Sequence, residues 1–486
     1  MGAIAIKPTI AHTVDTLAHV IGRDQPIMAM EKALEMAALL GEEVFADENV
    51  VFFDPFCKAG ELLLACAFHS CWAKSKGKAK LLDVDMVMKE IYQSNRYFGL
   101  APDERHHRLS IRTFLGNENS HKEEFNHIIR DGHYLSEEDG TLNKEKYEKE
   151  IKDMIEYINS KTKNKKIIAV GNPPYQEEDG GAQKSARPIY QLFVEKLITE
   201  PLISDFVLVI PSRWFAGGKG LDNFRNQMMS STQLKQIKHF ERSGEVFPTV
   251  DIDGGVCFVN WQSSYNGKPT FFTSEHSIEL DLNGYDIIPD DPMAYSLLEK
   301  MRNIWSNNWV SDVAWSRKPF GLPTDYFQKN KSENPNGLDV VKCIGRNKTV
   351  NYIKKSNIPQ KTDQINKYKV CIPGAYGGKK GQRRKTLPAS SIFIAKPGEI
   401  LTETYMVIDT FDNEKQAKNL VRYLGTTFSR YFLGLRKITQ HIPRERWAWV
   451  PYLDMSKEWT DESIYNYFKF SKDEIEHIKK KVQEWS

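Results

Sequence analysis

Apolar residues fall along this chain in short runs, separated by polar stretches with a helical period. "VVFF" at 50–53 is a continuous apolar run and predicts a strand buried on both faces. "ELLLACAFHSCWA" at 61–73 predicts a helix, joined to that strand by Asp54-Pro55-Phe56-Cys57-Lys58-Ala59-Gly60. Residues 26–40, "PIMAMEKALEMAALL", predict an earlier helix from their period and strong helix formers. "NRYFGLAPDERHHRLSIRTFL" repeats the plan of strand, turn and helix. "KKIIAVGNPPY" and "DFVLVIPSRWF" each end a further buried strand, with the helical "RPIYQLFVEKLI" between them. "QIKHFERSGEVFP" and "GGVCFVNWQ" read as a late pair of strands. Strands alternating with helices predict an α/β fold with a mostly parallel, doubly wound sheet. Ligands of such sheets bind at the carboxyl ends of strands, which is where the unusual sequences of this chain lie.

After about residue 265 the alternation fades, and Asn, Lys, Trp, Pro and Gly rise. "SKDEIEHIKKKVQEWS" reads as a terminal helix. The pattern divides the chain into an N-terminal helical segment (1–45), an α/β domain (46–268), a second domain (269–452) and a C-terminal helical segment (453–486). No internal repeat or long low-complexity linker interrupts it.

Composition narrows the picture only slightly. The 486 residues are 40% hydrophobic and 27% charged, as in an ordinary globular protein. A net charge of +3 does not demand a polyanionic partner, so a nucleic-acid surface has to come from local patches. Two stand out. Lys379, Lys380, Arg383, Arg384 and Lys385 share a Gly-flanked loop, and Arg436 and Lys437 open a basic, aromatic segment ending at Tyr452. Such clusters suit phosphate contacts, which position a nucleic acid without specifying its sequence; a solvated charged face is the bland alternative. No apolar run reaches membrane-span length and no secretory leader is read, so a cytoplasmic, nucleoid-associated protein without a membrane partner is expected. Six scattered cysteines without a Cys-x-x-Cys pair read as reduced structural thiols, and no metal is expected.

The sharpest chemistry is "VGNPPYQ" at 170–176. Proline fixes its own φ and pushes the residue before it into extended geometry. Two in succession hold the Asn172 side chain and nearby backbone carbonyls as fixed acceptors. A planar exocyclic amine held by two acceptors becomes a better nucleophile, and Tyr175 offers a flat face for a planar base. Asn-Pro-Pro alone is an ordinary turn. A buried strand before it and an aromatic ring after it make the clamp the stronger reading.

Together "GNPPY" and "FFDPFCKAGELLLACA" resemble the catalytic and cofactor motifs of S-adenosyl-L-methionine-dependent amino-methyltransferases. Their order, with a recognition region after both, is similar to that of N6-adenine DNA methyltransferases of restriction–modification systems (the gamma arrangement). The resemblance covers residues 40–265 firmly and the rest loosely. It implies a Rossmann-like seven-stranded sheet followed by a C-terminal target-recognition domain. It implies catalytic roles for Asn172, Pro173, Pro174 and Tyr175, with Phe247 of "GEVFP" against the other face of a flipped adenine. Asp54, Pro55, Cys57 and Gly60 would hold the cofactor, with contacts from Phe45, Asp103, Asp131 and Asn172. Double-stranded DNA is the implied substrate, and a separate restriction endonuclease the implied companion. The chain departs from the family pattern at Lys58, which stands where a glycine is usual, and at Ala101, where an acid is usual. RNA or a protein glutamine as the methyl acceptor, and a degenerate DNA-binding module, remain open on the residues alone.

Overall fold

The computed structural model describes residues 28–76, 84–115, 128–136, 141–177, 187–248, 250, 252, 254–273, 277–282, 284–377, 386–437 and 440–486. The chain divides into two compact units, Met1–Pro292 and Met293–Ser486. In the first, the strands are β1 (Val50–Asp54), β2 (Tyr97–Ala101), β3 (Ile129–Asp131), β4 (Lys166–Gly171), β5 (Gln176–Glu177), β6 (Arg187–Pro188), β7 (Ile203–Pro211), β8 (Leu234–Phe240), β9 (Val256–Gln262), β10 (Thr270–Phe272) and β11 (Ser277–Glu279). All but the short β5–β6 hairpin join one nine-stranded sheet, in the order β11-β10-β8-β9-β7-β4-β1-β2-β3. Strands β3, β2, β1, β4 and β7 are mutually parallel, and β9 runs antiparallel to both of its neighbours.

The expected sheet of seven strands is thus extended by two. β10 pairs parallel with β8, and β11 pairs antiparallel with β10. This is also why the compact unit runs to Pro292 and does not stop at 268.

β1 is buried along its whole length, as its unbroken apolar run requires. Helices α1 (Met30–Ala37), α2 (Glu42–Ala46), α3 (Glu61–Lys74), α4 (Val84–Gln93), α5 (Glu104–Leu115), α6 (Lys144–Thr162) and α7 (Tyr190–Thr199) follow in chain order. The α1 residues Met30, Ala33 and Met36 enter the same core as Leu62, Leu63 and Phe68 of α3. The first helical segment is therefore part of this unit's core. From β1 the chain steps outward to β2 and β3, then returns to the other flank of β1 to form β4. Connections diverge at β1 and β4, so a crevice opens above their carboxyl ends.

Arg96 pins the opposite end of the sheet. It is 1% exposed, and its guanidinium donates to the carbonyls of Val50 (2.9 Å), Phe45 (3.2 Å) and Asp47 (2.8 Å). The Phe45 ring stacks on Phe52 and His69. Phe45 therefore belongs to the core near the amino ends of β1 and β2, which corrects its expected place beside a cofactor.

The second unit contains two three-stranded sheets. β12 (Val340–Ile344), β13 (Val350–Lys354) and β16 (Glu399–Leu401) form one; β14 (Tyr368–Pro373), β15 (Phe393–Ala395) and β17 (Tyr405–Phe411) form the other. Inner side chains of both, including Cys343, Ile353, Cys371, Ile400 and Val407, share one core. The longer helices of this unit include α8 (Met293–Ile304), α9 (Glu414–Gly425), α10 (Thr427–Arg436) and α11 (Lys472–Glu484). Ser471 and Glu474 form a capping box at the start of α11, and Lys300 of α8 donates to Glu474 at 2.8 Å. Trp485 stacks on Tyr431 of α10 at 5.6 Å. The C-terminal helix is thus built into the second unit.

Candidate active site

Asp54 ends β1. Its Oδ1 accepts a hydrogen bond from the Phe56 N–H at 2.9 Å, folding the chain over the strand end. The loop is tied down from two sides. Cys57 N donates to the Leu100 carbonyl of β2 at 3.0 Å, and the Tyr134 hydroxyl donates to the Pro55 carbonyl at 2.7 Å. Gly60 then turns the chain into α3 with φ +82°, and a β-carbon there would lie 2.3 Å from the Phe114 ring. Only glycine meets both conditions.

The neighbouring parallel strand β4 carries Asn172-Pro173-Pro174-Tyr175 directly after its last residue, Gly171. A β-carbon on Gly171 would come within 2.6 Å of the Phe56 ring. The missing side chain lets Phe56 of the first loop pack against the end of β4. Asn172, Pro173 and Pro174 are buried. Tyr175 is held by its carbonyl, which accepts from Ile189 N at 3.1 Å after the β5–β6 hairpin. Its ring meets Phe247 edge to face, with centroids 6.1 Å apart and planes at 70°. The two rings expected around a base are therefore together, but they are not parallel.

The charges of the site are buried. Lys58 is 1% exposed and faces Glu61, Asp54 and Asp103. Burial lowers its ammonium to about 8, although the three carboxylates pull it upward. Its Nζ lies 6.0 Å from the Tyr175 ring centroid. Burial, and then the Glu61 charge, push the Asp54 carboxyl well above its usual range. Burial also raises Glu61, which accepts from Met28 N (3.4 Å) and Ala59 N (3.3 Å).

Asp103 lies just beyond β2, and its Oδ1 accepts from His106 N at 2.8 Å and contacts His106 Nδ1 at 2.7 Å. Burial raises this carboxyl, but the bonds and charge of His106 outweigh it and hold Asp103 below its usual range. Burial pushes the His106 imidazole down, and its Nε2 is buried without a hydrogen-bond partner. Asp131, at the end of β3, accepts from His133 N at 3.2 Å and faces His133 Nε2 at 3.0 Å. Burial raises its carboxyl.

The structure thus gathers Asp54, Pro55, Cys57, Gly60, Asp103 and Asn172–Tyr175 at neighbouring strand ends, with Phe247 against Tyr175. Ala101, where an acid is usual, is buried and accepts from Gly132 N at 2.8 Å. Glu104 pairs with Arg108 on the exposed face of α5, leaving Asp103 as the inward acid. Gly171, Glu61, Tyr134 and His106 were not singled out from sequence as site residues. A glycine directly before the Asn and an acid directly after Gly60 were the only available signals for the first two.

The donor set fits S-adenosyl-L-methionine. Buried carboxylates suit its cationic groups, and the orphaned His106 Nε2 and Tyr175 hydroxyl offer further polar contacts.

The expected phosphate contacts fare differently. Lys379, Lys380, Arg383, Arg384 and Lys385 lie outside the described residues. Arg436 and Lys437 are 4% and 3% exposed, so their burial corrects the expectation that they contact phosphate. Arg436 donates from Nε to the Glu445 carbonyl at 3.0 Å and lies 4.6 Å from the Trp449 ring centroid. Its interleaved aromatic neighbours bury it in a cation–π contact. Among the described residues, no helix is long and apolar enough to cross a membrane. All six cysteines are buried and none forms a disulfide.

The model of the Eco57I restriction-modification methylase family matches residues 95–247, from the start of β2 to Phe247. A Mycoplasma pneumoniae (strain ATCC 29342 / M129 / Subtype 1) protein described as an uncharacterized adenine-specific methylase is 34% identical over 105 residues. That alignment covers 21% of this chain and 24% of the relative, so the chain matches about a quarter of the relative's length. Among solved structures, the chain is similar to a nuclease-deletion mutant of the Type ISP restriction-modification enzyme LlaGI bound to a DNA substrate mimic. That likeness has a TM-score of 0.46 and 10% identity, over 98% of this chain and 48% of that one. The Type IIL restriction-modification enzyme MmeI in complex with DNA gives 0.44 and 10% identity, over 98% and 75%. The M protein of the Type I restriction enzyme EcoKI gives 0.31 and 14%, over 50% and 47%. Over residues 95–247, this chain is similar to the Eco57I restriction-modification methylase family.

Proposed function

We propose that this protein is a site-specific DNA methyltransferase that transfers a methyl group from S-adenosyl-L-methionine to the N6 amine of adenine in double-stranded DNA. One observation carries the reading. The Asp54–Gly60 loop and the Asn172–Tyr175 clamp occupy the ends of adjacent parallel strands and touch through Phe56 and Gly171. A methyl donor and a planar amine bound at these two loops would be neighbours.

When bound, the cofactor supplies a methyl group activated on a sulfonium. The chain's own residues position and polarise. Asp54, with Pro55, Cys57 and Gly60 shaping the turn, accepts the cofactor ammonium. Asp103 takes the ribose hydroxyls, and Asp131 lies toward the cofactor adenine. The target base cannot be reached inside a duplex, and extruding it costs a few kcal/mol. Stacking on an aromatic ring returns about 1–3 kcal/mol per base. Tyr175 and Phe247 provide that once one ring turns from its present edge-to-face contact. The Asn172 side-chain oxygen and the Pro173 carbonyl accept the two N6 hydrogens, and Pro174 keeps the arm rigid. No strong base is required, because the amine proton becomes acidic only after transfer.

In this reading the unit at 293–486 reads the target. Its β12–β13 hairpin exposes Arg346, Lys348, Lys354 and Lys355, which suit phosphate contacts. The basic run Lys379, Lys380, Arg383, Arg384 and Lys385 in the sequence supplies further charge of the same kind. A cytoplasmic, nucleoid-associated enzyme with a separate restriction endonuclease completes the proposal. The test is transfer of a tritiated methyl group to duplex DNA, structured RNA or protein extract. Label in duplex DNA, recovered as N6-methyladenine, is expected; label only in RNA or protein would overturn the reading.

A further inference from the structure

The cofactor loop contains a cation that its chemistry does not call for. Lys58 occupies the position where the family pattern has glycine, yet the backbone does not demand glycine there. The left-handed turn falls at Gly60, and Lys58 is not among the residues with positive φ. The backbone therefore accepts a lysine there without strain. Its side chain is buried, facing Asp54 at the end of β1, Glu61 in the first turn of α3 and Asp103 beyond β2. His106 of α5 stands behind Asp103, and the Tyr175 ring closes the side nearest the clamp. Three carboxylates around one ammonium form a site already neutralised in part from within.

We propose that Lys58 is a resident counter-ion of the cofactor pocket, occupying with its own ammonium the acidic environment that the cofactor's cationic end requires, so that binding displaces or deprotonates it. The inference rests on the reading of this pocket as the S-adenosylmethionine site. Its consequence is regulatory. The pocket exchanges one cation for another, and affinity for the cofactor is held down while Lys58 keeps its charge. A lysine whose ammonium titrates near 8 changes state close to neutral pH.

The sign follows from linkage. A cationic ligand lowers the lysine's proton affinity further, so binding releases a proton. Affinity then rises with pH up to about 8 and levels off above it. Among the described residues, the charges that face Lys58 include those of Asp54, Glu61, Asp103 and His106, and Tyr175 stays neutral in this range because burial raises its hydroxyl well above 10. The cofactor's own amine titrates at about 7.7–8.0, so wild type must be compared with variants that leave that titration in place.

The experiment is calorimetric titration of the full chain with S-adenosylmethionine and S-adenosylhomocysteine from pH 6.5 to 9.5, in buffers of different ionisation enthalpy. Wild type, Lys58→Met and Lys58→Arg are compared. Lys58→Met is expected to bind S-adenosylmethionine about tenfold more tightly at pH 7, a factor typical of one charge pair in coupled sites, and to lose the Lys58-linked proton release. The gain should be smaller for S-adenosylhomocysteine, which lacks the sulfonium charge. Lys58→Arg keeps a cation that does not titrate. It is expected to fold like wild type and to stay weak up to pH 9.5, so the proposal remains testable even if Lys58→Met does not fold. Weaker binding by Lys58→Met would overturn the proposal, placing Lys58 on the cofactor carboxylate. Arginine tightening with pH in parallel with wild type would overturn it as well. Absence of binding in wild type and both variants at every pH would overturn the cofactor reading itself, and this inference with it.

Discussion

Single residues divide between those that shape the site and those that carry its charge. Asn172 is the most direct case. In the proposed mechanism Asn172→Ala removes one of two acceptors for the amine, and methyl transfer should fall by about 10²–10³-fold, the usual cost of one polarising contact. Calorimetry should find cofactor affinity within a few-fold of wild type. Asp103 gives a pH signature. Its carboxyl is held below the ordinary 3.8, so its contribution to stability is complete above that value. That contribution is lost as pH falls through the lower, folded value. The stability gap between wild type and Asp103→Asn should therefore close on acidification below 3.8, measured by chemical denaturation. Local sequence showed Lys58 as a departure from pattern but not its burial, where Asp103 from beyond β2 joins Glu61 and Asp54 in facing it. Arg436 and Lys437 show the converse. A run of cations and aromatic rings reads alike whether the cations face solvent or lie against the rings, and here tertiary packing chose the rings.

At the scale of elements, the site is a meeting of two loops on adjacent strands. Gly171→Ala should force Phe56 off the end of β4, since the contact would be 2.6 Å. Because Phe56 belongs to the loop proposed to hold the cofactor, cofactor affinity should drop at least tenfold while the thermal midpoint falls only a few degrees, at roughly 1–3 kcal/mol of overpacking. A variant that binds cofactor normally would show that the loops are not coupled through this contact. Gly60→Ala should cost about 1–3 kcal/mol from its φ of +82° alone, with more from the Phe114 ring, read as a lowered denaturation midpoint. Strands β1 and β4 were legible because each is an apolar run followed by a proline turn, Asp54-Pro55 or Asn172-Pro173-Pro174. β10 and β11 were not. Each has only three residues, too few for a period, and each is fixed by pairing along β8 and β10.

For the whole molecule, fold class and the order of motifs could be read along the chain, but its division could not. The change in composition near 265 marks the end of the long strands, whereas the first compact unit continues to Pro292 because short strands extend its sheet. The terminal segments likewise read as separate helices, since the faces they bury are supplied by distant residues such as Phe68 and Tyr431. The proposed activity belongs to this scale, because it needs a cofactor loop, a clamp and a reader on one chain. Single-molecule sequencing of DNA from cells producing the full chain, beside cells producing Asn172→Ala, tests it most directly. The account predicts N6-methyladenine at one recurring sequence with the wild-type chain and none with the variant. Unmodified adenine throughout in the presence of folded wild-type protein, or equal methylation by both chains, would contradict it.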